Sequence, residues 1–198
     1  MIRYLHTLSL VAGPLLAAVA TFFWEGDRYG VTASVLLAFS TVAWIYGLLG
    51  LWERVAAWRP WFGGVGIVLA LAGFLGGMAF SFQGFFEGLY GVSKTGSLDA
   101  AAEHPAASAL VLWLPGPAFP LGLCALGIAL AWSRLAPRWL GGLLVLSGVC
   151  FPLSRVTRSE PIAHLADLLI LVAFTVIAVA YLRTGLRRTT PEPAPAAT

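Results

Sequence analysis

Apolar residues run along this chain in long blocks, separated by short connections rich in charge, glycine or proline. A helix needs about 20 mostly apolar residues to span the hydrocarbon of a bilayer. Six blocks reach or nearly reach that length, at residues 4–24, 31–52, 61–86, 107–132, 139–154 and 161–183. The fifth is short, and Trp139 and Arg155 at its ends would extend it by snorkelling into the interfaces. The pattern predicts an all-α fold, a polytopic six-helix transmembrane bundle over residues 1–188. The connections are tight: Glu25-Gly26-Asp27-Arg28 joins the first pair and residues 54–60 the second and third. One longer polar loop, about 88–106, carries Lys94, Asp99, Glu103 and His104. Residues 189–198 are rich in proline and alanine, cannot build a core, and are expected to be a disordered tail. Arg3 and the small residues Ala18-Val19-Ala20 give the first block some features of a secretory leader. Its apolar run continues through Phe22, Phe23 and Trp24, so it reads as an uncleaved first helix.

Composition removes the soluble alternative. Of 198 residues, 59% are hydrophobic and only 11% charged, against about a quarter charged in soluble domains. Too few polar residues remain to cover so much apolar surface, whereas lipid tolerates an apolar exterior. The net charge of +3 is small and its carriers flank the helices, which speaks for membrane orientation and not for nucleic acid. Arg3, Arg54, Arg59, Arg134, Arg138, Arg183, Arg187 and Arg188 fall on one side; Arg28, Lys94, Arg155 and Arg158 fall on the other. The richer side is expected in the cytoplasm, placing both termini on the cytoplasmic side of the cell's inner membrane. Most acids fall on the opposite, outer side: Glu25, Asp27, Glu87, Asp99, Glu103 and Glu160.

An internal echo suggests parallel two-helix units. The second helix ends Gly47-Leu-Leu-Gly-Leu-Trp52-Glu-Arg54-Val-Ala56, and the fourth ends Gly127-Ile-Ala-Leu-Ala-Trp132-Ser-Arg134-Leu-Ala136. Each is followed by a restart, Trp61-Phe-Gly63-Gly64 and Trp139-Leu-Gly141-Gly142, and the sixth ends Tyr181-Leu-Arg183. An aromatic at headgroup level and an arginine reaching the anionic leaflet would anchor these ends, and the glycine pairs would let the next helix approach closely. On this reading Trp52, Trp58, Trp61, Trp132 and Trp139 form an interfacial belt, while Trp44 and Trp113 are better placed for an internal pocket. The stretch Ser133-Arg-Leu-Ala-Pro-Arg-Trp-Leu-Gly141 resembles the cytoplasmic hairpin of an uncharacterised family of bacterial six-helix membrane proteins, known only as a domain of unknown function. The resemblance implies a fold and a compartment but no activity.

Ionisable residues inside the membrane carry the functional signal, because each is costly unless paired or hydrated. Asp167 lies two turns into the sixth helix, with His164 three residues earlier on the same face. A His–Asp pair can exchange protons; the bland alternative is a pairing of Asp167 with Arg155 or Arg158. Gln83 and Glu87 are spaced i, i+4 among Phe80, Phe82, Phe85, Phe86 and Tyr90. Burial among rings would favour a neutral acid able to donate a proton, and the alternative is an interfacial acid facing headgroup water. Glu25, after Trp24, is an interfacial acid on the same side. Proline is expected to kink the fourth helix at Pro115, Pro117 and Pro120 and the first at Pro14. Candidate catalytic residues are therefore Asp167, His164 and Glu87; candidate ligand-binding residues are Glu25, Gln83, Trp113, Phe86 and Tyr90.

Cys124 and Cys150 lie inside apolar runs and form neither a disulfide framework nor a metal motif. Three histidines at scattered depths make no haem site, so neither metal nor cofactor is expected. Three functions remain: binding or moving a small hydrophobic or lipid-like molecule through an outward-facing cavity lined by aromatics and acids; an enzyme protonating an isoprenoid or lipid; or a structural or regulatory membrane subunit. Membrane lipids and a small hydrophobic ligand are the expected partners, without nucleic acid.

Overall fold

The computed structural model describes residues 2–26 and 28–187; Asp27, Arg188 and the 189–198 tail lie outside them. Most described residues are helical, joined by short turns, and the extended pairing among them is one isolated bridge in the first turn. Helices α1 (Ile2–Thr21), α2 (Gly30–Trp58) and α3 (Pro60–Tyr90) are followed by a short α4 (Lys94–Ala102), then α5 (Pro105–Ser133), α6 (Arg138–Thr157) and α7 (Glu160–Arg187). All except α4 are long and apolar enough to cross a bilayer, which is the architecture of a multi-pass membrane protein.

Local chemistry explains the boundaries. Pro60 forces the preceding Arg59 into an extended conformation (φ −141°), which ends α2 and starts α3 within one residue. Gly91 closes α3 in the left-handed region (φ 66°). The region expected to be one long loop instead contains α4, whose cap Ser93 accepts a hydrogen bond from the Gly96 amide at 3.1 Å. This helix buries none of its residues, so it left no apolar period in the sequence. In α5, Pro115 has no amide proton, and its ring would strike the carbonyl one turn back. The helix answers with a π-helical turn over Ala109–Trp113, in which the Leu114 amide reaches the Ala109 carbonyl at 2.9 Å.

The six long helices form a closed ring. Sequence neighbours pack together, α3 packs on α5 across the α4 excursion, and α7 returns to α1. The centre is filled: Trp44 meets Phe119 and Phe174 edge-on at 5.3 and 5.0 Å, with Leu10, Leu123, Leu126 and Leu144 around them. Large apolar side chains such as Phe39, Val68, Leu110 and Val156 face outward, a surface suited to lipid and costly in water. Serine hydroxyls stitch α1 to α2. Ser9 donates to the Ala43 carbonyl (2.6 Å) and accepts from the Gly47 amide (2.7 Å), and Ser40 donates to the Gly13 carbonyl (2.7 Å).

Trp52 departs from its expected place in the interfacial belt: it is 1% exposed. Gly66 of α3 leaves the room, since any side chain there would overlap the indole. Trp61, Trp132 and Trp139 do lie exposed at that end, and Arg59 stands 4.8 Å from the Trp132 ring. Of the two glycine pairs, only the first members make close approaches, Gly63 against Ala56 and Gly141 against Gly127 and Ala131; Gly64 and Gly142 face open space.

Candidate functional site

Among the described residues, the two buried carboxylates lie at the same end of the ring, each paired with an arginine from the end of α6. Asp167, two turns into α7, accepts from Arg155 Nη2 at 2.9 Å through Oδ1 and from the Thr21 hydroxyl at 2.5 Å through Oδ2. Glu87, in the last turn of α3, accepts through Oε1 from the Ser97 hydroxyl at 2.5 Å and from Gln83 Nε2 at 3.0 Å. Its Oε2 faces Arg158 Nη2 at 3.7 Å, an ion pair too long for a direct hydrogen bond. Both carboxylate side chains are 1% exposed, and those of Arg155 and Arg158 are 13% and 9% exposed.

Aromatic rings join the two pairs. The Arg155 guanidinium lies 4.8 Å from the Phe151 ring and 5.0 Å from Trp24; Trp24 lies 5.1 Å from Tyr29, and Arg158 sits 3.8 Å from the Tyr29 ring. The chain Asp167–Arg155–Trp24–Tyr29–Arg158–Glu87 therefore runs from α7 to α3 through the α1–α2 turn. Each cation over a ring contributes about 0.5–2 kcal/mol, more as it is desolvated. Beneath it, Ala20, Trp24, Tyr29, Ala33 and Ala163 make a small apolar cluster of their own.

Local structure at the end of α6 sets this up. Arg155 lies in its last turn, where a cation is favoured by the helix dipole. Arg158 caps the helix in the left-handed region at φ 52°. A residue with a Cβ adopts that conformation at a cost of about 1–2 kcal/mol, and it persists where the surroundings hold it. Here Tyr29 and Glu87 hold it. The reversal turns the chain directly into α7 and sends two arginines three residues apart toward two different acids.

The cluster is under-satisfied. Arg155 Nη1, Arg158 Nε and Nη1, Trp24 Nε1, Ser34 Oγ, Gln83 Oε1 and Glu87 Oε2 are all buried without a hydrogen-bond partner. Among the described residues, the other such side-chain atoms are the indole nitrogens of Trp44 and Trp52 in the core. A buried polar atom left unpaired costs about 1–3 kcal/mol, and native proteins keep such atoms few. Their concentration at one end of the bundle marks that end as the candidate site.

A groove of about 310 Å³ between α2 and α3 adjoins it, lined by Ser34, Ala38, Phe39, Val42, Met78, Phe82 and Phe85 among others. Exposed Phe39, Val42 and Phe82 show that it opens on the outer surface of the bundle. A Cβ on Gly84 would stand 2.6 Å from the Tyr29 ring and 2.8 Å from Ser34 Oγ. That glycine lets α2 and α3 close up, and brings the Ser34 end of the groove against the ring under Arg158.

Of the residues expected at a site, Glu87 and Gln83 are in direct contact, and Asp167 lies at the same end, linked to them only through Arg155, Trp24, Tyr29 and Arg158. The expected His164–Asp167 pair is not formed: the His164 ring lies 4.5 Å from exposed Phe22, and the partners of Asp167 are Thr21 and Arg155. Glu25 is exposed, and its backbone bridges to Arg28 across the turn. Phe86 and Tyr90 stack on each other at 5.9 Å on the outer surface, and Trp113 is half exposed on the lipid side of α5. The groove is walled by neither acid, unlike the acid-lined cavity expected. Sequence reasoning passed over Thr21, Trp24, Tyr29, Ser34 and Ser97. An Arg-x-x-Arg at a helix end opposite two intramembrane acids was the signal available. Among the described residues, no group of three or more metal-ligating side chains lies together.

No family model matches the chain, and no curated protein sequence or solved structure is significantly similar to it.

Proposed function

We propose that this protein binds an amphiphilic, lipid-like molecule, with the apolar tail in the α2–α3 groove and the polar end at Ser34 and the Glu87–Arg158 pair. The observation carrying this reading is the set of orphaned buried polar atoms next to the end of an apolar groove. Ser34 lines the groove with its carbon atoms, and its buried hydroxyl lies behind that wall. Small-molecule sites combine an apolar wall with a few convergent polar groups, and this arrangement has that form. The site lies at the acid-bearing end, which in our reading is the outer side; the arginine-rich end with Trp132 and Trp139 faces the cytoplasm of the inner membrane, with both termini there. The paired approaches of Gly63 and Gly141 support parallel two-helix units, and the 133–141 hairpin supports kinship with the uncharacterised six-helix bacterial family.

The test is native mass spectrometry of gently extracted protein, comparing wild type with Ala38→Phe, which fills the groove. Wild type should retain an amphiphile of defined mass, and the variant should lose it at an unchanged melting temperature. Absence of any retained species from wild type would sink the proposal.

Two other readings draw on the same residues. The ion pairs at both acids favour a structural or regulatory subunit, because closed pairs fix helices and leave no open acid. As an enzyme, Glu87 would protonate an isoprenoid or lipid only after Ser97, Gln83 and Arg158 yielded their contacts.

A further inference from the structure

We infer that the polar end of this site recognises a zwitterionic aminophosphate head, and that α4 is the lid through which it enters. The inference rests on the amphiphile-binding reading and names the chemistry of the bound head.

The orphaned atoms fall into two complementary sets. Arg155 Nη1, Arg158 Nε and Nη1 and Trp24 Nε1 are donors seeking an acceptor. Glu87 Oε2 and Gln83 Oε1 are acceptors seeking a donor. The two guanidiniums and two carboxylates already balance in charge. A bare anion would satisfy the donors but leave the site negative and repel Glu87. A bare cation would satisfy Glu87 and Gln83 but leave the arginine N–H groups unmet. A phosphate on the Arg158 N–H groups, joined to a primary ammonium on Glu87 and Gln83, satisfies the orphaned atoms around that pair and adds no net charge. A trimethylated ammonium has no N–H to give Glu87. At 3.7 Å, Arg158 Nη2 and Glu87 Oε2 make no direct hydrogen bond, so the head replaces only a loose ion pair.

Access is the remaining requirement, because these atoms are buried. The cover nearest Glu87 is α4, which buries no residue of its own. Among its contacts are the Ser97 hydroxyl on Glu87 and Gln83, the Lys94 Nζ donating to the Val156 carbonyl at 2.7 Å, and the Ala101 carbonyl accepting from the Ser108 hydroxyl of α5 at 2.6 Å. Gly91, with φ 66° and open space around it, joins the lid to α3. Segments with few buried contacts open at low free energy. A head bound at Glu87 Oε2 leaves the Ser97 contact with Oε1 intact, so the lid can close again over it.

The full-length protein in detergent is titrated with phosphatidylethanolamine, phosphatidylcholine and phosphatidylglycerol of identical acyl chains, read by native mass spectrometry. The ethanolamine lipid should bind at least about tenfold tighter than either other lipid, the factor expected when one hydrogen bond to a charged partner is lost. Soluble phosphoethanolamine should compete only weakly; saturation by it, with no competition from the lipid, would overturn the lipid occupant. Glu87→Gln leaves the site positive and should move the preference toward phosphatidylglycerol, an inversion that a purely structural role would not produce. Equal binding of the three heads, or an unchanged preference in Glu87→Gln, overturns the head assignment while leaving amphiphile binding intact. If no lipid binds and Ala38→Phe changes nothing, the amphiphile reading itself fails. Should Glu87→Gln not fold, the three-head comparison on wild type decides alone.

Discussion

Replacing Asp167 by leucine removes the acceptor of two buried donors at once. The Arg155 guanidinium loses its 2.9 Å partner and the Thr21 hydroxyl its 2.5 Å partner. Arg155 keeps its stacking on Trp24 and Phe151 but becomes a cation with a 13% exposed side chain and no counter-charge. Breaking a buried pair from one side costs about 3–5 kcal/mol. For a chain of this size that corresponds to a fall in melting temperature of roughly 6–20 °C at about 2–4 °C per kcal/mol. Asp167→Asn keeps an oxygen for Thr21 and should cost less, about 1.5–3 kcal/mol, the worth of a hydrogen bond to a charged group. Arg155→Met removes the cation together with the need for its partner. The double variant Asp167→Leu/Arg155→Met should therefore be nearer wild type than Asp167→Leu alone, with a coupling of about 2–3 kcal/mol within the range for residues in contact. The assay is reversible unfolding in mixed micelles, followed by tryptophan fluorescence and carried through all four corners of the cycle. Additive single effects, or an Asp167→Leu loss within about 0.5 kcal/mol of zero as for an ordinary surface change, would refute the pairing as a source of stability.

Further expectations concern other elements. Gly66→Ala drives a methyl into the Trp52 indole and should destabilise by about 1–3 kcal/mol, with a shifted tryptophan emission; an unchanged melt and spectrum would contradict the buried position of Trp52. Arg134 and Arg158 both cap helices at positive φ (57° and 52°), but only Arg158 faces a buried acid. Arg134→Gly should stabilise by up to about 1 kcal/mol as backbone strain is relieved, whereas Arg158→Gly should destabilise despite the same relief; matching signs would remove the functional account of Arg158. Ser97→Ala should raise hydrogen exchange across Lys94–Ala102 without changing exchange in the spanning helices, and equal protection would show that the Ser97–Glu87 contact does not hold α4 down. A cysteine at Glu103 should react with an impermeant thiol reagent added to intact cells, and one at Arg134 should not; the reverse pattern would invert the orientation we propose.

Part of the site is legible in the amino-acid sequence. Glu87 and Asp167 stand out because a charge in a hydrocarbon layer must have a reason, and Arg155 is one of the two partners that the sequence offers Asp167. The remainder depends on which side chains from distant segments share a depth and a face. His164 shares a helix face with Asp167, yet Phe22 of the first turn takes the imidazole while Thr21 and Arg155 take the carboxylate. Trp24 and Tyr29 read only as turn-flanking aromatics until Arg155 and Arg158 come over their rings.

The six spans were written in the chain itself, because lipid offers backbone groups no partner and each span must satisfy its own hydrogen bonds over a fixed thickness. That requirement is local in sequence, so long apolar blocks suffice to reveal it. Even the resetting of α5 at Pro115 follows from a missing amide proton. Which way each helix turns is not local. Trp52 became core instead of belt because Gly66, on the next helix, left room for its ring, and α4 formed over Glu87 without an apolar stripe to announce it. The tertiary structure alone decided that two acids from α3 and α7 would meet two arginines from one helix end. Closure of the ring brings α7 back to α1, and that long-range packing leaves no period in the sequence.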